Sequence, residues 1–241
     1  MQVINQHIAL ADQIIKTLLY FDIFRYPLKS HEVYNYLRIN GTTPAEVSCC
    51  LDDLTEKRQL FRFGDLYCLQ PDEKNIKRRI KGNREAQKWL EVARKQAKLI
   101  ATFPYVQAVM ASGSLSKGYM DEDSDLDFFI VTEPNRLWIA RTLLVLYKRV
   151  FLSNSHKKFC VNYFVDTLHL EIEEKNLFTA TEIVTLIPLY NRECYGYMLS
   201  SNRWLHQYLP NFRERDEDRD QVPSLFLKRF FDRYWLTQTS I

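Results

Sequence analysis

Apolar side chains at Ile8, Ala11, Ile14, Ile15, Leu18 and Leu19 recur in steps of three and four, which predicts a helix over residues 8–24. Pro27 and Lys29-Ser30 interrupt it, and Ser30 is suited to cap a second helix through about Ile39. Asn40-Gly41 predicts a turn. Thr43-Pro44-Ala45-Glu46 then has the signature of a helix start, with a capping threonine, proline in the first turn and glutamate three residues on. The helix that follows puts Val47, Cys50, Leu51 and Leu54 on one face. From Leu60 to Leu69, two short apolar runs flank Gly64-Asp65, a hairpin signal. Residues 72–101 predict one long helix with Ala86, Trp89, Leu90, Ala93, Ala97 and Ile100 as its buried stripe. Gly82-Asn83 is its weak point and Pro104 its end. Tyr105–Ala111, Asp127–Val131 and Phe159–Val165 read as strands, Leu168–Ile172 as a further short one, and 135–151 as a helix. Residues 178–208 predict helix in two pieces around Pro188. RERDEDRD at 213–220 reads as a mixed-charge linker, and SLFLKRFFDRYWL beyond it as an amphipathic aromatic helix suited to the body of the protein or to another subunit.

Three helices followed by a hairpin is the winged-helix arrangement, so residues 1–70 predict a winged-helix-like module. Its usual role is DNA binding through the third helix. Here that helix (44–58) carries Glu46, Asp52, Asp53 and Glu56 against Lys57 and Arg58. Neutralising phosphates needs the opposite sign, which favours protein docking or an intramolecular role.

Composition narrows the classes. The chain has 241 residues, 46% hydrophobic and 26% charged, so it can bury a sizeable core as one large or two modest domains; global disorder is excluded. No apolar run approaches the ~20 residues of a membrane helix. The N-terminus lacks a basic start and carries Asp12 within its apolar stretch, against a signal peptide. Five cysteines with no Cys-x-x-Cys predict free thiols in a reducing compartment, hence a cytoplasmic protein without membrane contact. The net charge is only +3, but residues 71–101 hold ten basic and four acidic side chains, and the other segments are close to neutral. That basic excess suits phosphates, or simply the solubility of an exposed helix.

The chemistry concentrates in VMASGSLSKGY (109–119) and MDEDSDLDFFIV (120–131). A strand ends in Gly113-Ser114, a turn follows, and a second strand opens with Asp125-Leu126-Asp127. Glycine lets the backbone approach a ligand where a side chain would block it, and the amides that follow favour phosphate. Period-two geometry puts Asp125 and Asp127 on one face. Two carboxylates so placed repel unless a cation lies between them, and magnesium prefers oxygen ligands shared with substrate phosphates.

The stretch resembles the nucleotidyltransferase superfamily that includes polymerase beta, whose motif is Gly-Ser, a gap of roughly ten residues, then Asp-apolar-Asp among apolar residues. The gap from Ser114 to Asp125 here holds ten residues, and Leu126, Phe128 and Phe129 supply the apolar positions. The resemblance is specific over about residues 105–131, extends over 72–190, and implies an α+β fold, a mixed sheet flanked by helices. The expected domains are the module over 1–70, a nucleotidyltransferase-like domain over 71–212 with 71–103 as a basic connecting helix, and a C-terminal linker and amphipathic helix over 213–241. The resemblance also implies transfer of a nucleoside monophosphate from a nucleoside triphosphate to an acceptor, with pyrophosphate leaving. Asp125 and Asp127 would carry magnesium or manganese; Gly113, Ser114 and Lys117 would meet the triphosphate. The acceptor, whether protein, small molecule or nucleic acid, stays open, as does assembly into a homo-oligomer.

The family's third carboxylate belongs on the next core strand. Asn162 holds the position best flanked by apolar residues there, with Asp166 at the strand end and Glu171 as further candidates; Asp166 joins Asp125 and Asp127 as the expected catalytic set. Asparagine can coordinate a metal but cannot take a proton, so Asn162 favours a second reading, a nucleotide-binding regulator without turnover. A winged-helix DNA-binding regulator using the basic stretch is a third. Trp138 and Arg141 suit either a nucleotide pocket or helix packing, Asn202 and Trp204 invite the same reading, and His156, His169 and His206 lack metal-ligand spacing.

Overall fold

The computed structural model describes residues 2–152 and 157–213, with side chains from His7 onward. The linker and aromatic helix expected over 213–241, save Arg213, and His156 lie outside them. The described chain forms two units. One holds the chain up to Lys81 with Lys175–Thr181 and the segment from Trp204; the other holds Gly82–Glu174 and Glu182–Arg203.

The first unit begins with α1 (Gln2–Asp22), β1 (Leu28–Lys29), α2 (Ser30–Tyr36), α3 (Pro44–Glu56), β2 (Phe61–Phe63) and β3 (Leu66–Cys68). The helices share one core: Leu10, Ile14, Leu18 and Phe21 of α1 meet Val33 and Leu37, Val47, Cys50, Leu51 and Leu54, and Leu60. Of the α1 stripe expected from sequence, Ile14 and Leu18 are buried, whereas Ile8 and Leu19 are exposed. α3 starts as its sequence predicts. Glu46 N–H donates to Thr43 Oγ1 (3.2 Å) while Thr43 N–H donates to the Glu46 carboxylate (2.7 Å), a reciprocal cap that contributes about 1 kcal/mol. α2 departs from expectation: it begins at Ser30 with Lys29 as its cap, and Glu32 holds the Lys29 N–H (2.9 Å). It also stops at Tyr36, because Leu37 is extended. The hairpin forms as predicted, and β3 lies between β2 and β1, all antiparallel. At two residues, β1 is too short for any alternation to mark it.

Arg79 belongs to this unit and is buried, its guanidinium 3.6 Å over the Tyr26 ring and 2.7 Å from Glu32. Burial pulls its pKa down to about 9.

In the second unit the sheet comprises β4 (Val106–Ser112), β5 (Asp127–Thr132), β6 (Cys160–Asp166) and β7 (Ile187–Tyr190) in the order β6-β5-β4-β7. β4 is antiparallel to β5 and β7, and β5 is parallel to β6. The helices are α4 (Glu73–Ile100), which begins in the first unit, α5 (Gly113–Ser116), α6 (Leu137–Phe151), α7 (Leu177–Thr185), α8 (Arg192–Ser201) and α9 (Leu205–Tyr208). The parallel pair is joined through α6, as a crossover requires. Ala86, Ala93, Ala97 and Ile100 of α4, with Leu144 of α6, pack on Val109, Ala111, Phe128 and Ile130. By strand alternation, Ser112, Met110, Asp127 and Phe129 face the other side. This α+β unit, a mixed sheet flanked by helices, is the fold class that the motif implied.

Two strand expectations are corrected. Leu168–Ile172 is not a strand; it is a turn segment held by buried Asn202, whose side chain accepts from Ile172 N–H (2.8 Å) and donates to Leu170 O (2.7 Å). The fourth strand is instead β7, within a stretch read as helical. Pro188 is tolerated there because β7 is an edge strand. All five cysteines are free, and among the described residues no helix is long and apolar enough to cross a membrane.

Candidate active site

The site forms where β4 ends and β5 begins. Ser112 and Asp127 stand directly opposite in the antiparallel ladder, so both project from the same face. Gly113 follows with φ +62°, and a Cβ there would fall on the Asp127 carboxylate. Only glycine fits, on both counts. The backbone turns into α5, where Ser116 Oγ donates to Gly113 O (2.9 Å) and Lys117 Nζ lies 3.2 Å from the same carbonyl.

The turn is fixed from below. Gly82 is the one residue of α4 that can admit the Tyr119 ring, on which any Cβ would fall. Its carbonyl accepts Met120 N–H (3.1 Å), and Asn83 donates to Gly118 O. The predicted weak point of the helix is therefore the seat of the loop, and α4 runs through it unbroken. The loop itself is organised by Asp121, which accepts from Ser124 Oγ (2.6 Å), Tyr119 Oη (2.6 Å) and Asp123 N–H (3.2 Å).

Between the two aspartates, Leu126 is fully buried in the core. Its N–H donates to Lys157 O (3.1 Å) and its carbonyl accepts Cys160 N–H (2.9 Å). With Leu126 pinned on one side, Asp125 and Asp127 are turned to the other. Burial pushes the Asp127 carboxyl above its ordinary value. A hydrogen bond with Cys160 opposes this, the charges of Asp125 and Glu182 add to it, and Lys117 offsets part. Burial and the neighbouring Asp127 together push the Cys160 thiol up to about 12.

The third position is where the structure departs most from the sequence reading. In the parallel ladder Cys160 pairs with Asp127, Val161 with Phe128 and Tyr163 with Phe129. Asn162 is the extra residue between them, a bulge, and is exposed. Asp166 pairs with Thr132, five residues along, about 16 Å from Asp127 at ~3.3 Å per residue. There it accepts from Leu168 N–H (3.0 Å), His169 N–H (3.1 Å) and Asn135 N–H (3.4 Å), and meets His169 Nδ1 at 2.7 Å. Glu171 is exposed in the turn segment beyond. The structure thus brings together Gly113, Ser114, Lys117, Asp125 and Asp127, and sets Asp166 at the opposite end of the sheet.

Two neighbours were missed. Cys160 escaped because the strand register, which sets it opposite Asp127, is not written in the local sequence. Glu182 of α7 lies 2.7 Å from Lys117, and nothing in its local sequence marks it. Trp138 is exposed on α6, after the far end of β5, with Arg141 5.5 Å over its ring. Asn202 serves the turn described above, Trp204 is buried, and His169 serves Asp166.

Among the described residues no group of three or more His, Cys, Asp or Glu side chains is placed to hold a metal ion. The donors present are two carboxylates and, opposite Asp127, a buried Ser112 hydroxyl with no hydrogen-bond partner. That set suits a hard cation that completes its shell with phosphate oxygens, not one caged by protein alone.

A left-handed glycine turn packed against an acidic pair on a mixed sheet is the arrangement that the sequence motif led one to expect. The family model described as a nucleotidyltransferase domain matches residues 93–189, so this stretch of the chain is similar to that family. No curated protein and no solved structure matches the chain.

Proposed function

We propose that the second unit transfers a nucleoside monophosphate from a nucleoside triphosphate to an acceptor and releases pyrophosphate. The observation that carries this reading is the fit of Gly113 against Asp127: the glycine turn packs directly on the carboxylate at the start of β5, which sets the Gly-Ser turn and the acidic strand side by side. Gly113 and Ser114 would hold the triphosphate through the turn, with Lys117 at its charged end. Asp125 and Asp127 would hold magnesium or manganese, which when bound would neutralise the reacting phosphates. The chain's own part is to fix the turn on Gly82 and Asn83, to keep the acidic pair on one face through Leu126, and to supply opposing charge through Lys117.

The test is pyrophosphate release with magnesium and each common triphosphate, across acceptors bearing hydroxyls. A second reading, a nucleotide-binding regulator without turnover, is favoured by the thiol of Cys160 where a third carboxylate would stand. Binding without pyrophosphate release selects it.

For the first unit we propose a winged-helix-like module that docks protein. α3 has Asp53 bound to Lys57 (2.6 Å) and His7 (3.1 Å), and Asp52 to Arg62 (3.1 Å), an acidic helix ill-suited to DNA phosphates.

A further inference from the structure

The last turn of α7 is tied to the Gly-Ser turn at two points. Lys117 Nζ meets Glu182 at 2.7 Å, with both side chains about three-quarters buried. One step away, fully buried Ser116 lies 3.4 Å from Thr185 Oγ1, which itself donates to Glu182 O (3.1 Å). Glu182 is therefore held beside the turn by packing as well as by charge. Its carboxylate is close enough to act on Asp127, and Lys117 acts on Asp127 in the opposite sense.

The transfer needs a proton acceptor. Asp125 and Asp127 would be occupied by the cation, the Cys160 thiol is hydrogen-bonded to Asp127, and Asp166 is some five residues along the sheet. Glu182 is a further carboxylate at this end of the sheet, and its partner is the cation that a triphosphate would draw away.

We propose that Glu182 is the base of the transfer and that Lys117 covers it until nucleotide arrives, a role that rests on the nucleotidyltransfer reading above. The triphosphate takes Lys117, and the uncovered carboxylate faces the acceptor. The acceptor hydroxyl oxygen bonds to the α-phosphorus, the bond from that phosphorus to the bridging oxygen breaks with its electron pair leaving on pyrophosphate, and the hydroxyl proton passes to Glu182 and then to water. The acceptor class is accordingly a hydroxyl compound, which needs such a base.

The experiment uses the full chain with Glu182→Gln, Glu182→Asp and Lys117→Ala. Calorimetry with inorganic tripolyphosphate and with magnesium ATP reads the exchange; pyrophosphate release with glycerol, N-acetyltyrosinamide and water as acceptors reads the proton step. Glu182→Gln should bind tripolyphosphate several-fold tighter, because Lys117 no longer has to leave a charged carboxylate, and Lys117→Ala should bind it more weakly. Glu182→Gln should lower pyrophosphate release by about 10²-fold or more at saturating nucleotide, with Glu182→Asp restoring part. Tripolyphosphate binding unchanged in Glu182→Gln overturns the exchange. Release within about threefold of wild type overturns the base, as does loss of binding and thermal stability together, which marks a structural pair. A wild type that binds triphosphate and releases no pyrophosphate overturns the proton role alone. A wild type that binds no triphosphate overturns the nucleotidyltransfer reading beneath it.

Discussion

The two ends of the central sheet each carry an aspartate, and they are built in opposite ways. Asp166 accepts three backbone N–H groups and pairs with His169, so although burial acts to raise its carboxyl, these donors hold it below its ordinary value of 3.8. Asp127 is pushed up by burial, with a thiol as its hydrogen-bonding neighbour and Asp125 and Glu182 adding negative charge. One carboxylate has its charge satisfied by the fold. The other is half-buried beside further negative charge, with a thiol as its hydrogen-bond partner. The residue type is shared, and the donors around each aspartate set the two apart.

The largest effect that would break this contrast is on turnover. Asp125→Asn or Asp127→Asn should lower pyrophosphate release by orders of magnitude, since a positioned cation contributes several kcal/mol at ~1.4 kcal/mol per tenfold. Asp166→Asn should leave release within a few-fold of wild type. Equal losses from both ends would erase the distinction.

Next comes nucleotide affinity. Gly113→Val forces a β-branched side chain into a left-handed turn and onto the Asp127 carboxylate. Triphosphate affinity should fall by at least about tenfold, roughly 1.4 kcal/mol, while the circular-dichroism spectrum stays that of the folded protein. A folded variant with wild-type affinity would remove the turn from the site.

Stability should move in opposite directions. Asp127→Asn relieves a carboxylate whose charge burial disfavours, so without metal its Tm at neutral pH should rise. Asp166→Asn should lower Tm by several degrees, at ~2–4 °C per kcal/mol for a chain of this size. Because the folded value of Asp166 lies below 3.8, its contribution is fully present above that pH and is lost as pH falls through the folded value. The Tm gap between wild type and Asp166→Asn should therefore be widest near neutrality and close in strong acid.

The smallest effect separates neighbours on β6. Asn162→Asp places a charge on an exposed bulge and should be nearly neutral in magnesium dependence. Cys160→Asp, in register with Asp127, should raise affinity for magnesium several-fold in the presence of ATP, because a third carboxylate adds to the two already there.

The strongly patterned parts of this chain were legible from sequence. Short apolar runs marked β4, β5 and β6, the three-four stripe marked α4, and the Gly-Ser and Asp-Leu-Asp spacing marked one end of the sheet as the candidate site. Some features depended on contacts that no local pattern carries. β7 contains Pro188 and is four residues long, so its apolar run read as part of a helix until β4 claimed it as an edge partner. Cys160, two residues before Asn162, is the residue in register with Asp127, and Asn162 itself is bulged out of the ladder, a pairing that periodicity cannot foresee. Glu182 is 65 residues from Lys117 in sequence, and only the return of α7 to the turn brings them within 2.7 Å. Gly82 looked like a flaw in a helix and is the seat for Tyr119.

The central claim is that Asp125 and Asp127 await a cation that arrives with phosphate. Calorimetric titration of the full chain with ATP, in magnesium and again in EDTA, tests it most directly. The account predicts saturable binding in magnesium and binding weakened at least about tenfold in EDTA, where the acidic pair faces the phosphates unscreened. Equal affinity under both conditions would contradict it.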